Sequence, residues 1–70
     1  MYEFCSYGNH PIVREKHGSY VVLTDEARGL KNVVCCKSCY REYILKFFPD
    51  SRMAEYVRNN PSEYPKQVGE

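Results

Sequence analysis

The chain has 70 residues, a formal net charge of +1 and a hydrophobic fraction of 43%. A chain this short forms one domain at most, and it buries little apolar surface unless a disulfide, a metal or a partner stabilises it. The hydrophobic fraction argues against wholesale disorder, and the near-neutral charge differs from the strongly basic surface of a dedicated nucleic-acid binder.

The sequence contains no signal for secretion or membrane insertion. Its first residues lack a basic region followed by an apolar stretch. No window approaches the run of about 20 apolar residues that crosses a bilayer. We therefore expect a cytoplasmic protein with no membrane partner, in which the thiols stay reduced.

The first predicted element is a tight turn in the segment CSYGNH, in which four residues separate Cys5 from His10. Gly8 and Asn9 both tolerate the left-handed backbone angles of such a turn. Pro11 follows and prevents the turn from continuing as a helix. The segment is typical of one half of a metal site.

The next region is predicted to be a β-hairpin. Residues 12–16 and 20–24 are rich in Val, Ile, Leu and Tyr, and they flank His17 and Gly18 as a turn. Residues 25–32 are polar and contain Gly29, which indicates a loop or a single helical turn. Residues 33–35 form a short third strand in this interpretation.

A helix is predicted from Lys37 to the residue before Pro49, because proline lacks an amide donor and restricts its predecessor. A helical wheel places one set of side chains on the buried face: Cys36, Cys39, Tyr40, Tyr43 and Phe47. It places a second set on the opposite, exposed face: Ser38, Arg41 and Glu42.

A second, shorter helix is predicted over residues 52–59, because Asp50 or Ser51 can cap its start. Residues 60–70 contain two prolines, one glycine and few apolar side chains. We expect a single zinc-stabilised domain over residues 1–59, followed by an extended or mobile tail over 60–70.

The four cysteines and two histidines are arranged as in a zinc site. Zn²⁺ prefers four soft or borderline ligands in a tetrahedron, and two close pairs on tight turns meet that requirement. The first pair is Cys5 and His10, and the second is the C-x2-C pair Cys36 and Cys39. These four residues are the predicted ligands of Zn²⁺, the expected cofactor.

Other uses of the same residues remain open. Cys35 could replace Cys36, and His17 could replace His10, although the C-x2-C spacing favours Cys36 and the hairpin turn favours an exposed His17. A redox pair of thioredoxin type needs a βαβ setting that the sequence lacks. A disulfide framework needs an oxidising compartment, and four unrelated buried thiols are also compatible with the composition.

The order of turn, hairpin and second turn at a helix start resembles the treble-clef zinc fingers. The residues that carry the resemblance are FCSYGNH and VVCCKSCYREYI, within a region from Tyr2 to Phe48. The usual first pair of a treble clef is C-x2-C, whereas this chain has C-x4-H. The resemblance implies a small α+β zinc-binding domain with a treble-clef-like knuckle, a β-hairpin and a carboxy-terminal helix, without implying an activity.

The predicted function is a non-enzymatic, zinc-stabilised binding module. Four protein ligands close the zinc shell, whereas a catalytic zinc keeps a position for water, so we expect neither an enzyme nor a small-molecule substrate. We expect this module to associate with nucleic acid, in a role of transcription or ribosome type, through a phosphate-binding patch of Arg28, Lys31, Lys37 and Arg41. The alternative is a protein–protein adaptor that regulates a larger assembly, because the tyrosine content and the near-neutral charge suit a docking surface.

Overall fold

The computed structural model describes residues 3–66, which form a small α+β structure with two antiparallel hairpins. The elements along this stretch are β1 (Phe4–Cys5), β2 (His10–Pro11), α1 (Arg14–His17), β3 (Tyr20–Asp25), β4 (Leu30–Cys36), α2 (Lys37–Phe47) and α3 (Arg52–Asn59). A single 3₁₀ turn over Glu26–Arg28 joins β3 to β4. None of the helices in this described stretch has the length and hydropathy needed to cross a membrane.

The first hairpin pairs β1 with β2, and Cys5 lies directly opposite His10. Asn9 has φ 58°, the left-handed conformation that asparagine adopts more readily than most residues. Side chains of residues opposite each other in an antiparallel pair project from the same face of the sheet. The turn therefore brings the two predicted ligands of the first pair together.

The second hairpin pairs β3 with β4, with Val21 opposite Cys35 and Val22 opposite Val34. The register shifts between Leu23 and Asp25, where the strands approach the 3₁₀ turn. The prediction of a loop or single helical turn after β3 is confirmed by this turn. The partner of β3 is β4, however, and β4 is longer than the predicted strand over 33–35.

The predicted strand over residues 12–16 is wrong, because residues 14–16 and the following His17 form the short helix α1 instead. The Val13 carbonyl accepts backbone hydrogen bonds from Lys16 and His17, at 2.9 and 2.7 Å. The Val13 amide donates to Nδ1 of His17, which closes the same turn from the other side. These local bonds satisfy the backbone without a strand partner, and Gly18, with φ 74°, ends the turn.

Each of the two longer helices is capped at its start by the side chain of the residue that precedes it. The sulfur of Cys36 accepts a hydrogen bond from the Cys39 amide at the start of α2. The hydroxyl of Ser51 does the same for the Ala54 amide at the start of α3. The predicted helix over residues 52–59 is confirmed, and α2 ends before Pro49 as predicted.

The core lies where α2 packs between the second hairpin and α3. Its buried side chains come from β1, β3, β4, both longer helices and the segment after α3, namely Cys5, Leu23, Cys35, Cys36, Cys39, Tyr43, Ile44, Ala54, Val57 and Tyr64. Four of these ten are cysteines, so thiols supply much of the interior of this short chain.

The segment after α3 differs from the predicted extended tail over its first part. Tyr64 is buried, and its ring lies 6.1 Å from that of Tyr40 between centroids. Glu63 forms an ion pair with Lys37 at 2.9 Å. Glu63 and Tyr64 therefore hold this segment against α2, and the rest of the predicted tail, residues 67–70, lies outside the described residues.

Candidate metal centre

Four predicted ligands meet at one point beside the start of α2. Cys5 comes from β1, His10 from β2, Cys36 from the end of β4 and Cys39 from the first turn of α2. One ligand atom from each residue lies within 4.8 Å of all the others. The two hairpins and the helix start therefore build a group that is close enough to hold a metal ion.

The spacing of these atoms fits a tetrahedral zinc ion. The Nε2 atom of His10 lies 3.4 Å from the Cys39 sulfur and 4.0 Å from the Cys36 sulfur. Zn–S bonds of about 2.3 Å and Zn–N bonds of about 2.0–2.1 Å at tetrahedral angles would separate nitrogen from sulfur by about 3.6 Å. The two distances lie on either side of this value, which is consistent with coordination of one ion.

The His10 ring is oriented for coordination through Nε2. Its Nδ1 lies 2.7 Å from the Pro11 carbonyl oxygen, which accepts a hydrogen bond from the Nδ1–H tautomer. That bond leaves the Nε2 lone pair directed at the sulfurs, the arrangement that metal-bound imidazoles generally use. The local β2 backbone therefore selects the tautomer.

His17 does not belong to the group of four, although it lies close by. Its ring packs against the His10 ring with centroids 4.5 Å apart. Its Nδ1 accepts the hydrogen bond from Val13 that closes α1. His17 thus contacts the ligand His10 from the side, and the alternative in which it replaces His10 does not match this geometry.

Backbone amides surround the sulfurs. The Gly8 amide donates to the Cys5 sulfur at 3.1 Å, and the Cys36 amide donates to the same sulfur at 3.4 Å. The Cys39 amide donates to the Cys36 sulfur at 3.4 Å. Hydrogen bonds of this kind favour the charged thiolate, which is the form that binds metal.

Gly8 has a steric role in addition to its amide. A Cβ at this position would lie 2.7 Å from the His10 ring and 2.8 Å from the Cys39 sulfur. Both distances are far below van der Waals contact, so only glycine allows the turn to approach the centre this closely. The sequence identified Gly8 as a turn residue, but this requirement depends on a contact with a residue far along the chain.

Burial sets the protonation of the thiols. Cys5 and Cys36 are fully buried and Cys39 nearly so. Burial raises the pKa of Cys36 and of Cys39, because a thiolate loses hydration there. Burial acts in the same direction on Cys5, but the Cys36 and Gly8 amide donors outweigh it and lower its pKa. Three thiolates would therefore coexist at this distance only with a cation among them.

Cys35 is buried but lies outside the group of four. Its thiol donates to the Cys36 carbonyl oxygen at 3.3 Å, and burial raises its pKa. Successive residues of a strand project to opposite faces, so Cys35 and Cys36 cannot both face the same centre. The structure brings Cys36, and not Cys35, to the predicted site.

The predicted phosphate-binding patch does not form a free cationic surface. Arg28 pairs with Asp25 at 2.8 Å and also covers the Phe47 ring at 4.3 Å. Lys37 is paired with Glu63. Lys31 is exposed on β4, apart from these two pairs.

The exposed position predicted for Arg41 is wrong. The side chain is 7% exposed, and its Nη1 donates to the Val57 carbonyl oxygen at 2.6 Å. Ser38, predicted on the same exposed face, is fully buried as well. A helical wheel separates the faces of α2 correctly, but it cannot indicate that α3 covers the face opposite the metal ligands.

Comparison with protein-family models, with curated proteins and with solved structures finds no match. The class of the protein therefore rests on its own fold and site. It is a small α+β protein whose three cysteines and one histidine lie close enough to hold a metal ion, with a donor set consistent with zinc.

Proposed function

We propose that the chain is a zinc-stabilised, non-catalytic module of treble-clef type that binds another protein. The observation that carries this proposal is the buried group of Cys5, His10, Cys36 and Cys39. Three thiolates and one imidazole complete a tetrahedral shell, and a shell of four protein ligands has no open position for water or substrate. Zinc in such a shell stabilises a fold and does not activate a reactant.

Two features support zinc and the treble-clef type in particular. Thiolate and imidazole ligands in a tetrahedron suit Zn²⁺ better than Mg²⁺, Ca²⁺ or Mn²⁺, which prefer oxygen ligands. The first pair lies on a tight hairpin, and the second lies where a β-hairpin enters a helix. That order is the order in which a treble clef delivers its ligands.

The surface supports a protein partner over nucleic acid. Three of the four cations assigned to a phosphate patch are occupied within the chain, by Asp25, Glu63 and the Val57 carbonyl. A phosphate group could contact these three side chains only by displacing their present partners, which costs free energy. The present surface therefore lacks the concentrated positive charge on which nucleic-acid binding depends.

The first hairpin offers an apolar contact next to the metal centre. Phe4 is 47% exposed and lies directly opposite the exposed Pro11, on the face away from the ligands of the same hairpin. Val13, 43% exposed, follows shortly after. A phenylalanine beside aliphatic side chains is typical of the apolar centre of a protein interface.

The metal part of the proposal is tested by elemental analysis and native mass spectrometry of the purified protein. We expect one zinc per chain, lost in Cys39→Ser and retained in Cys35→Ser. Folded protein without metal, or loss of metal in Cys35→Ser but not in Cys36→Ser, would contradict the proposal.

The partner part is tested by affinity capture with Phe4→Asp as the surface variant. We expect a bound protein that persists after nuclease treatment and at raised salt, and that is lost with Phe4→Asp. Val22→Thr, a conservative change on the other hairpin, serves as the matched control and should retain the partner. Binding that nuclease abolishes, or that weakens steeply with salt and with Lys31→Glu, would favour the nucleic-acid alternative.

A further inference from the structure

The outer edge of β3 differs from the edge of β4 on the other side of the second hairpin. On the far side of β4, the amides of Ser6 and Tyr7 both donate to the Val34 carbonyl oxygen, at 2.8 and 3.2 Å. The chain after β1 therefore covers that edge of the second hairpin. Within residues 3–66, no backbone hydrogen bond from outside the hairpin reaches Val22 on β3.

The register shows which backbone groups lie on this edge. The Lys37 amide donates to the Ser19 carbonyl at 2.9 Å, directly before the pairs Tyr20–Cys36 and Val21–Cys35. Hydrogen-bonded pairs alternate with non-hydrogen-bonded pairs along an antiparallel ladder. Val22 and Val34 therefore form a non-hydrogen-bonded pair, whose amides and carbonyls point away from each other. The bonds that Val34 accepts from the opposite side agree with this assignment.

The edge lacks the features that normally protect a strand from pairing. Residues 20–24 have the sequence YVVLT, with no charge, proline or glycine. The Val22 side chain is 52% exposed. Natural edge strands are usually blunted by charges, prolines or bulges, and here the only bulge comes after Leu23, beyond the centre of the strand.

We infer that two copies of this chain associate by antiparallel pairing of their β3 strands about a two-fold axis at Val22. Each Val22 donates its amide to the Val22 carbonyl of the second copy and accepts the equivalent bond in return. The two hairpins then form one continuous antiparallel sheet through both molecules. A symmetric contact of this kind is self-complementary, as a two-fold interface requires.

The side chains favour a second copy over an unrelated charged strand. In this register Val22 lies opposite Val22, and Tyr20 lies opposite Thr24 of the second copy. β-branched and aromatic pairs of this kind are favourable across strands. Asp25 lies opposite the neutral Ser19, so no like charges meet along the contact, and the net charge of +1 adds little repulsion.

The contact is small, so the expected dimer is weak. Interfaces that bury less than about 1,200 Å² belong to transient complexes, and association should appear only as the concentration rises toward about 1 mM. We expect the sedimentation coefficient and the NMR diffusion constant of the zinc-loaded protein to shift toward a dimer over this range. The Val22 amide should also exchange with solvent more slowly as concentration increases.

Variants at Val22 separate this contact from other modes of association. Val22→Pro removes the outward amide, which β3–β4 pairing does not use, so the fold and metal content should persist while the dimer is lost. Val22→Lys should also abolish the dimer, because it places two like charges at the axis. Val22→Thr keeps the β-branched shape and the backbone donor, and it should still dimerise.

A monomer at every concentration would overturn the inference. So would a dimer that survives both Val22→Pro and Val22→Lys while each variant keeps its zinc and its circular dichroism spectrum. Neither result bears on the proposed zinc module, whose metal content is measured separately.

Discussion

The two ends of helix α2 are stabilised by different interactions. At its amino-terminal end, buried thiols and an imidazole from four separate positions converge within 4.8 Å. At its carboxy-terminal end, apolar and aromatic side chains pack against α3, and Arg41 bonds to the α3 backbone. In our proposal an ion brings the charged ligands of the first end together, whereas the second end is an ordinary small core.

The comparison explains how so short a chain is organised. The first hairpin buries Cys5 fully, whereas Phe4 is exposed and Tyr7 packs against the core only partly buried. Apart from the four candidate ligands, backbone bonds to β4 and the contact of the Tyr7 ring with Tyr43 join this hairpin to the rest of the described chain. We therefore expect damage at the metal end to have the largest effects and damage at the α2–α3 end to have smaller ones.

The largest effect should follow loss of the metal. Structural zinc contributes about 10–16 kcal/mol of apparent binding free energy in small domains, which is comparable to or larger than typical total stabilities of about 5–15 kcal/mol. Chelation or Cys39→Ser should therefore unfold the protein, as measured by circular dichroism during a chelator titration.

Cys35→Ala is the matched control for this experiment, because it removes a buried thiol that is not in the group of four. It should leave one zinc per chain and cost about 1 kcal/mol of stability. A folded, metal-free Cys39→Ser protein would show that the amino-terminal end of α2 does not need a metal for its stability.

The next largest effect is expected for Gly8→Ala. The added Cβ would meet the His10 ring and the Cys39 sulfur, so the first hairpin must move away from the centre. Changes in groups that support metal ligands typically weaken affinity about 10–100-fold, and we expect a loss of that order in a competition titration with a zinc indicator.

Gly29→Ala provides the comparison, because Gly29 also has a left-handed φ, of 73°, but nothing lies near its Cβ position. It should cost about 1–2 kcal/mol of stability through backbone strain and leave zinc affinity unchanged. Equal losses of zinc affinity in the two variants would mean that backbone conformation, and not the close approach, explains the Gly8 effect.

A smaller effect is expected at the other end of α2. Arg41→Met keeps an apolar stem but removes the donor to the Val57 carbonyl, and it should cost about 1–3 kcal/mol in a denaturant titration. Lys46→Met changes an exposed cation of the same helix and should stay within about 0.5 kcal/mol of the parent.

Zinc content should remain at one per chain in both of these variants. Loss of zinc in Arg41→Met would show that the two ends of α2 are coupled. A similar loss of stability in both variants would contradict the buried role of Arg41.

The smallest effect should be a dependence on alkaline pH at Tyr43. Burial, followed by the hydrogen bond that its hydroxyl donates to Asp25, raises the pKa of Tyr43 to about 12. A raised folded pKa stabilises the protein below the unfolded value of 10.0, and this contribution is lost as pH rises toward 12. The stability advantage of the parent over Tyr43→Phe should therefore be constant from about pH 5 to pH 10, above the range in which Asp25 titrates, and shrink at higher pH.

Asp25→Asn sharpens the same measurement, which is a series of denaturant titrations against pH. It removes the negative charge beside Tyr43, which reduces the rise in the pKa of Tyr43. The loss of stability above pH 10 should therefore occur over a narrower pH range than in the parent. An identical pH dependence in the parent and in Tyr43→Phe would exclude a role for this pair in stability.

Much of the candidate site was predictable because its ligands come in local pairs. The spacings of Cys5 with His10 and of Cys36 with Cys39 allow each pair to meet on one turn, whatever the rest of the chain does. The starts and ends of α2 and α3 were predictable for the same reason, since caps and prolines act within a few residues.

The errors in the prediction concern contacts between distant segments and, in residues 12–16, local bonds that composition does not reveal. Residues 12–16 have strand-like composition, but β3 pairs with β4 instead, and local bonds to Val13 and His17 stabilise a helical turn. Tyr64 follows a polar, proline-containing stretch, yet it is buried against Tyr40 of α2. Composition alone could not indicate which segment would cover which surface.

The sequence by itself therefore determined which residues can bind metal and where α2 and α3 begin and end, because turn chemistry and capping act over short distances. Only the tertiary structure decided which thiols meet, why Gly8 must lack a side chain and why Arg41 is buried. Each of these depends on segments far apart in the chain, whose approach is governed by packing and by the geometry of a shared centre.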